Sequence, residues 1–314
     1  MTCQQITQHI RNLATQKKAF DEACGMSNPD IKTIFSIKEE IDSIIEIVDK
    51  IQIDIETARK LMGKDFIGPD EVRSAFLNQV EIPSVLPLIP FTRRELKRAK
   101  ELGQVLILHS PVTMAQIKSA LNGKLEDESK LLNNDDITDW YEDKSFFNTE
   151  LSRADWTLIT KEVLPGSLGK NYLEQTQILI NYLQNDVFKD KVMPKQYTKA
   201  VAEFQNYIKA NPDFADRITS DDEPTWKAAA EKLESFQITQ LTRPSPVEVL
   251  YFIAAYFQTT GERLLKYTRT WTGRHCHDIG FVDLGYFDTA GVRVSGRGPG
   301  GHSFGLGVSL SRIR

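Results

Sequence analysis

The sequence predicts an α+β fold, in which a helical N-terminal region is followed by a C-terminal region of short antiparallel strands. Three observations predict it. Apolar residues recur with a helical period between residues 34 and 62. Motifs that begin helices follow through the middle of the chain. Beyond residue 271 the apolar period falls to two and glycines become frequent, which is typical of strands joined by tight turns.

The N-terminal part, residues 1–66, is predicted to form a helical hairpin or a coiled coil. Between Ile34 and Met62 the apolar residues alternate at spacings of three and four, as at the a and d positions of a heptad repeat. Such a seam packs against another helix of the same chain, against a second copy of the chain, or against both. The sequence leaves these open, so a homo-oligomer through the Ile34–Met62 seam is one of two expectations that do not exclude each other.

Residues 67–150 are predicted to form a small mixed strand–helix region. A proline-rich linker at 82–90 precedes a helix that Thr92 and Glu95 begin as a capping box. The apolar run at 104–109 predicts a strand that follows this helix.

The remaining residues, 151–314, are predicted to form one domain. It begins with a strand, "DWTLIT" at 155–160, and continues with helical segments. Ser245, Pro246 and Glu248 supply an N-cap, a first-turn proline and a capping-box acid. Because the residues that follow are apolar nearly all round, the helix that begins there is expected to be buried.

Bulk composition excludes several classes of protein. Hydrophobic residues make up 40% of the chain and charged residues 26%, as in globular domains. The net charge of −4 argues against a general nucleic-acid binder, so no specific nucleic-acid partner is expected. No apolar run is long enough for a membrane span, and the first residues lack the apolar core of a signal peptide, which predicts a cytoplasmic protein. Three cysteines at unrelated spacings imply no disulfide framework.

The C-terminal residues differ from the rest of the chain in amino-acid usage. From Thr272 to Arg314 there is no Lys, Glu, Gln or Met, although all four are common before it, and the stretch holds 10 of the 18 glycines. Apolar residues at strand spacing persist, which a disordered tail would lack. Every residue type between them has a codon that ends in a pyrimidine, whereas the four missing types have none. The composition therefore suggests an apolar frame whose other positions were drawn from a restricted set of codons.

On these features the chain resembles the variable proteins of diversity-generating retroelements. The resemblance covers roughly residues 150–314 and is carried by "WTLITKEVLPGSLGKNYLEQT", by "LTRPSPVEVLYFIAAYFQTTGERLLKYTRTWT" and by the frame "FVxLGxF…GVxV…LGVSLSR". The chain is similar to the form found in uncultivated small-genome bacteria and their relatives. In this family an error-prone reverse transcriptase randomises template adenines, and the altered copy replaces the 3′ end of the gene. Some relatives carry a tryptophan shortly before the proline that matches Pro299, where this chain has "SGRGPGG".

The resemblance implies a C-type-lectin-like domain with a hypervariable segment at about 272–306. Such a domain pairs its first strand with its last, so the strand at 155–160 should lie beside the C-terminal "LGVSLSR". The family implies a non-enzymatic ligand-binding protein that needs no cofactor and whose partner is an unknown protein or surface ligand. The alternative is an undiversified structural or interaction module with a glycine-rich β tail.

Twelve positions are expected on the ligand-binding face. Asp283 alternates with Val282 and Leu284, which places it opposite the core side of the strand, and we group Tyr286 and Asp288 with it. Arg and Tyr dominate binding hot spots, while His and Asp add hydrogen bonds and charge. The full set is Arg274, His275, His277, Asp283, Tyr286, Asp288, Arg293, Ser295, Arg297, Gly300, His302 and Phe304. We interpret several glycines of the tail as products of codon randomisation that added no useful side chain.

Metal-binding and catalytic functions are the weaker hypotheses. The sequence "HCHD" with His302 supplies zinc-type ligands, but adjacent residues on a strand point to opposite faces and no paired ligand spacing occurs, so no metal is expected. The lectin-like fold also hosts formylglycine-generating oxidases, which use paired cysteines, whereas Cys276 is the only cysteine after Cys24. His109 and Ser110 suggest nucleophilic catalysis, but the sequence identifies no orienting acid. No catalytic residue is therefore assigned.

Overall fold

A computed structural model describes residues 3–26, 31–49, 53–133, 140–189 and 191–313. About 48% of the chain is helical and 15% lies in strands, which form two four-stranded sheets, one of them toward the C-terminus. The expectation of a mixed α+β fold is confirmed at this level.

The described helices occupy most of the chain between the strands. They are α1 Cys3–Cys24, α2 Ile31–Asp49, α3 Ile55–Met62, α4 Pro69–Ala75, α5 Arg93–Glu101, α6 Met114–Ala120, α7 Ser145–Asn148, α8 Tyr172–Tyr182, α9 Lys195–Ala210, α10 Phe214–Ile218, α11 Glu223–Ser235, α12 Gln237–Thr242 and α13 Pro246–Thr260. A 3₁₀ turn at Gly63–Asp65 follows α3, and a π turn at Leu183–Val187 ends α8.

The strands divide into two sheets. They are β1 Phe66–Ile67, β2 Gln104–Leu108, β3 Trp156–Thr160, β4 Arg269–Cys276, β5 Gly280–Asp288, β6 Gly291–Arg297, β7 Leu306–Gly307 and β8 Ser311–Arg312. The first sheet has the order β1-β2-β3-β8 and the second has the order β6-β5-β4-β7.

The N-terminal helices form a hairpin, because α1 packs along α2. The predicted continuous seam is wrong. Asp54 caps a new helix by accepting a hydrogen bond from the backbone N–H of Thr57 at 2.7 Å, and the end of the seam, Ala58 and Met62, is buried in the main body. Residues 50–52 of the seam lie outside the described residues, and self-association through the rest of it stays a prediction.

Local capping signals predicted the helix starts correctly. The Thr92–Glu95 and Ser245–Glu248 capping boxes are both present, and they begin α5 and α13. Helix α13 is buried along almost its whole length, as its apolar composition predicted. It ends at Gly261, whose φ of 72° is the left-handed conformation that glycine adopts most easily.

Strand β3 lies at the centre of the first sheet, between β2 and β8. The predicted pairing of the strand at 155–160 with the C-terminal strand is confirmed: Leu158 lies opposite Arg312 and Ile159 opposite Ser311, antiparallel. On its other edge β3 pairs antiparallel with β2 along its full length. Residues on either side of position 150 therefore contribute to one sheet.

The second sheet lies against α13 with one of its faces. Valines and leucines of β5 and β6 share a hydrophobic cluster with α13, α4 and α6, while Trp271 and Phe281 belong to a second cluster with α8, α9, α11 and α12. In the described part of the chain, no helix combines the length and the apolar character that crossing a membrane requires.

Candidate functional site

The apolar frame of the C-terminal tail forms core, as the sequence predicted. Each of its nine members is buried: Phe281, Val282, Leu284, Phe287, Val292, Val294, Leu306, Val308 and Leu310. Alternation along β5 and β6 sends one set of side chains toward α13 and leaves the other set on the opposite side of the sheet. The frame therefore fixes which tail residues are able to face a ligand.

Five polar residues of β4, β5 and β6 share the side of the sheet that faces away from α13. The register pairs Asp283 with Ser295, Gly285 with Arg293 and Gly285 with Arg269, while Phe281 pairs with Arg297. Because these positions are two apart on each strand, their side chains lie on one face. We call this the polar face and define it by Arg269, Asp283, Arg293, Ser295 and Arg297.

A buried carboxylate stands at the centre of the polar face. The Nη1 atom of Arg269 lies 3.0 Å from one oxygen of Asp283, and the Nε of Arg297 donates to the other oxygen at 3.0 Å. Arg269 also donates to the hydroxyl of Ser295 at 3.1 Å. Burial raises the pKa of the Asp283 carboxyl, and the two guanidinium groups oppose that rise. The arrangement is a charged platform that holds the half-buried side chains of Ser295 and Arg297.

The expectation that Asp283 is displayed is wrong. Alternation correctly placed it opposite Val282, but its side chain has no solvent exposure. The reason is that the second side of β5 is also covered: Phe281 stacks on Tyr172 at 3.8 Å between ring centroids, and the two arginines close over the carboxylate. Alternation identifies the face of a strand and says nothing about what packs on that face.

Tyr286 reaches the polar face through an irregularity in β5. The register of β5 with β6 shifts between Gly285 and Asp288, and Tyr286 has a φ of 47°. Its half-buried ring lies 4.8 Å from the guanidinium carbon of Arg269, in a cation–π contact. Asp288 is exposed and accepts a hydrogen bond from the backbone N–H of Ala290, within the turn that joins β5 to β6. Only the bulge places Tyr286 beside the Asp283 platform, since simple alternation would turn it to the opposite side.

The residues at the end of β4 form a separate surface against α11. Arg274 bridges Glu150, at 3.0 Å, and Glu234, at 3.1 Å. His275 is buried, contrary to expectation, because its ring packs beside Phe281, and that burial lowers its pKa. His277 is exposed and lies 3.7 Å from Glu231. The structure thus separates these three predicted positions from the polar face.

The loop after β6 displays two of its predicted residues and packs the third, which is half-buried, against the body. His302 and Phe304 are exposed, and Phe304 is 97% accessible. Gly300 is not a displayed position, because a Cβ atom there would lie 2.5 Å from the carbonyl oxygen of Ile218 and 2.9 Å from the Cα of Thr219. The neighbouring Pro299 accepts a hydrogen bond from the N–H of Tyr172, which holds this loop on the start of α8.

Other tail glycines are structural as well. Gly285 has a φ of 150°, and a Cβ atom on it would lie 2.7 Å from the Cα of Arg269. Gly291 has a φ of 109°, and its Cβ would lie 2.6 Å from the backbone carbon of Leu132. Gly280 also has positive φ and would meet the carbonyl of Arg297. The interpretation of these glycines as unproductive draws is therefore wrong, because close approach of the backbone requires them.

No metal centre can be assembled from the described residues. Among them, no group of three or more His, Cys, Asp and Glu side chains is placed to hold a metal ion. The rings of His275 and His277 are 6.4 Å apart and nearly perpendicular, and His302 lies in a different loop. Cys276 is half-buried and packs against the core cluster of α13.

Sequence reasoning missed a buried polar cluster at the end of β2. His109 is fully buried and lies against the ring of Tyr251, 4.9 Å between centroids. The acid that the sequence did not identify is Glu248, which is fully buried, ion-paired with Arg153 and close enough to influence the charge of His109. Burial lowers the pKa of His109 to about 4. Its two ring nitrogens are buried and have no hydrogen-bond partner in the described chain.

Reasoning from the sequence also missed Arg269, which lies just before the predicted variable segment. Arg269 and Trp271 are two positions apart on β4, so their side chains lie on the same face as Asp283, but this follows only once the pairing of β4 with β5 is known.

Comparison with known proteins identifies no relative: no family model, no curated protein and no solved structure matches the chain.

Proposed function

We propose that this protein is a non-enzymatic binding protein that presents a retroelement-diversified face on a C-type-lectin-like scaffold. The observation that carries the proposal is the separation of two residue sets on the same strands. Val282, Leu284 and Val294 pack toward α13, while Ser295 and Arg297 stand on the polar face, around the fixed Arg269 and Asp283. Changes in the second set need not disturb the first.

The restricted alphabet of the tail supports the same proposal. The polar face, the adjoining Tyr286 and the loop after β6 carry Arg, Asp, Ser, Tyr, His and Phe, all of which have pyrimidine-ending codons. Arg, Tyr and Phe are also residue types that protein interfaces favour. A protein partner, or another ligand on a surface, suits a face that carries these residue types.

The structural glycines favour the second candidate, an undiversified interaction module. If backbone geometry requires Gly280, Gly285, Gly291 and Gly300, part of the compositional shift has a purely architectural cause. In this candidate the same face is still a binding surface, but no retroelement diversifies it.

Two experiments test the proposal. The genomic neighbourhood should contain a reverse-transcriptase gene and a near-copy of the 3′ end that differs from it at adenines. A completely sequenced neighbourhood that contains neither would contradict diversification by a retroelement and favour the undiversified module.

The second experiment is a displayed library that randomises the exposed or half-buried positions with pyrimidine-ending codons. These positions are Tyr286, Arg293, Ser295, Arg297, His302 and Phe304. We expect it to yield folded variants that bind new protein targets. A matched library of six exposed positions on α9 should yield fewer binders at equal expression, and equal yields from both libraries would contradict a specialised binding face.

A further inference from the structure

A second surface of the molecule, which shares no residue with the polar face, is a cleft lined mainly by cations. It lies between α5 and the π turn that ends α8, with a volume of about 240 Å³. Five of its lining residues are cationic and three are acidic: Arg94, Lys97, Arg98, Lys189 and Lys191 against Glu95, Glu101 and Asp186. The cleft therefore carries an excess of positive charge, although the whole chain has a net charge of −4.

Helix geometry explains how α5 contributes to the cleft. Arg94, Lys97, Arg98 and Glu101 follow the spacing i, i+3, i+4, i+7, so they lie along one side of the helix. The opposite side of α5 is core, where Leu96 and Ala99 are buried. The same side of one short helix therefore presents three cations to the cleft.

Two of the three acidic residues of the cleft have partners, and the carboxylate of the third, Asp186, is paired with no described residue. Glu95 is buried and accepts the backbone N–H of Thr92 in the capping box, at 2.8 Å. Glu101 is ion-paired with Arg98 at 3.1 Å. In contrast, Lys97 and Lys189 form no ion pair with any described residue. Two lysines from segments about ninety residues apart thus face one cleft without a counter-ion among those residues.

The π turn shapes the far wall of the cleft. The N–H of Phe188 donates to the carbonyl of Leu183 at 2.8 Å, and the carbonyl of Asp186 instead accepts the Nε of Arg98 at 2.9 Å. Arg98 is fixed by this bond and by Glu101, and its Nη2 has no acceptor among the described residues. Turns of this type occur often at functional sites. A cation near the last carbonyls of a helix also stabilises the helix dipole, which accounts for Arg98 but not for Lys97, in the middle of α5.

We propose that this cleft binds a small anion bearing one or two phosphate groups. Its volume lies below the roughly 300–1,000 Å³ of typical drug-sized pockets, so it suits a phosphate, a pyrophosphate or the phosphate end of a metabolite. Lys97 and Lys189 supply charge and Arg98 supplies a fixed donor. A long polyanion would meet the negative charge of the rest of the molecule, which disfavours it.

The test is titration of the full-length protein with inorganic phosphate and pyrophosphate, followed by calorimetry and by thermal shift. Wild type should bind pyrophosphate more tightly than phosphate. The double variant Lys97→Glu/Lys189→Glu should weaken binding by about tenfold or more, since it reverses both unpaired charges. The control is Lys199→Glu/Lys209→Glu on the exposed side of α9, which changes the net charge by the same amount and should bind as wild type does.

Three outcomes would overturn the proposal. They are the absence of saturable pyrophosphate binding by the wild type, equal weakening in both double variants, and tighter binding of duplex DNA than of pyrophosphate through the same two lysines. Circular dichroism and the melting temperature of each variant confirm that it is folded before binding is measured.

Discussion

The two sheets of this protein bury their faces differently. In the first sheet, alternate residues of β2 and β3 enter two different hydrophobic clusters: Val105 and Ile159 belong to the cluster of α13, and Leu106 and Leu158 to that of α3 and α5. In the second sheet, one face of β5 and β6 enters the α13 cluster, while the other is divided between Phe281, which packs in the cluster of α8, and the Arg269–Asp283 platform.

The difference shows where a protein of this design can tolerate change. A strand buried on both faces leaves no position free, because each residue is part of a close-packed interior. In β6 the valines are buried while Arg293, Ser295 and Arg297 keep some exposure, so this strand separates positions that hold the fold from positions that face the surroundings. The predictions below test that separation, from the largest expected loss of stability to the smallest.

Trp156 of β3 should be the most costly truncation. Its ring is fully buried beside Phe66, and its indole N–H donates to the carbonyl of Pro87 at 2.9 Å. Trp156→Ala should lower the free energy of unfolding by about 3–5 kcal/mol, measured by urea denaturation. Trp156→Phe, which retains most of the volume, should lose clearly less. Equal losses would mean that the site relaxes around a cavity and that the first sheet is less closely packed than its burial indicates.

Asp283 should be nearly as important, although it is polar and belongs to the second sheet. Asp283→Ala leaves Arg269 buried without its carboxylate, and we expect a loss of about 3 kcal/mol in the free energy of unfolding. This loss lies at the lower end of the roughly 3–5 kcal/mol typical of a broken buried ion pair, because Arg297 keeps some access to solvent. The double variant Asp283→Leu/Arg269→Met should recover much of that loss. If Asp283→Ala is neutral, the platform is not a fixed part of the face.

His109, at the end of β2, should make the stability of the protein depend on pH. Burial lowers the pKa of His109, at the end of β2, to about 4, whereas an unfolded histidine has a pKa near 6.5. The folded state therefore favours neutral His109. Its contribution to stability is complete above about pH 6.5, falls as the pH is lowered and is lost near pH 4, a change on the order of 3 kcal/mol.

Urea denaturation between pH 7 and pH 4 checks this expectation. His109→Leu should show a shallower decline of stability with falling pH than wild type, whereas His302→Ala, at an exposed site, should follow wild type. A wild-type slope that survives in His109→Leu would assign the acid sensitivity to other groups.

Local signals predicted the helix starts, while tertiary contacts decided the binding face. The Ser245–Glu248 capping box lies within four residues of sequence, and it began α13 where expected. Asp54 offers an equally local cap inside the heptad repeat, but the apolar periodicity concealed it. The pairing of β3 with β8 spans about 150 residues, and only the resemblance to a known family suggested it.

The errors at the site have a common physical cause. Alternation assigns Asp283 to a face, yet its burial depends on Arg269, which precedes the tail, and on Arg297, which lies on the next strand. The position of Tyr286 depends on a bulge. The role of Gly300 depends on the backbone of α10, which no composition of the tail reveals.

Gly285 tests whether tail glycines are structural. Its φ of 150° and the backbone of β4 leave no room for a methyl group, so Gly285→Ala should cost roughly 1–3 kcal/mol of unfolding free energy. Gly298→Ala is the matched control, because its nearest neighbour would be Trp226 at 3.8 Å, an ordinary contact. Thermal denaturation of both variants separates the effects. Two equally stable variants would restore the interpretation of these glycines as freely variable positions.

Phe304 should have the smallest effect on stability and the largest on binding. It is 97% exposed, so Phe304→Ala should change the free energy of unfolding by less than about 0.5 kcal/mol. Phe281, in the same tail, is fully buried and stacked on Tyr172, and Phe281→Ala should cost about 3–5 kcal/mol. For a partner that contacts the loop after β6, Phe304→Ala should in turn weaken binding. The unfolding free energies of these two variants therefore test whether core and surface positions are separate in the tail. Similar losses from Phe304→Ala and Phe281→Ala would mean that they are not.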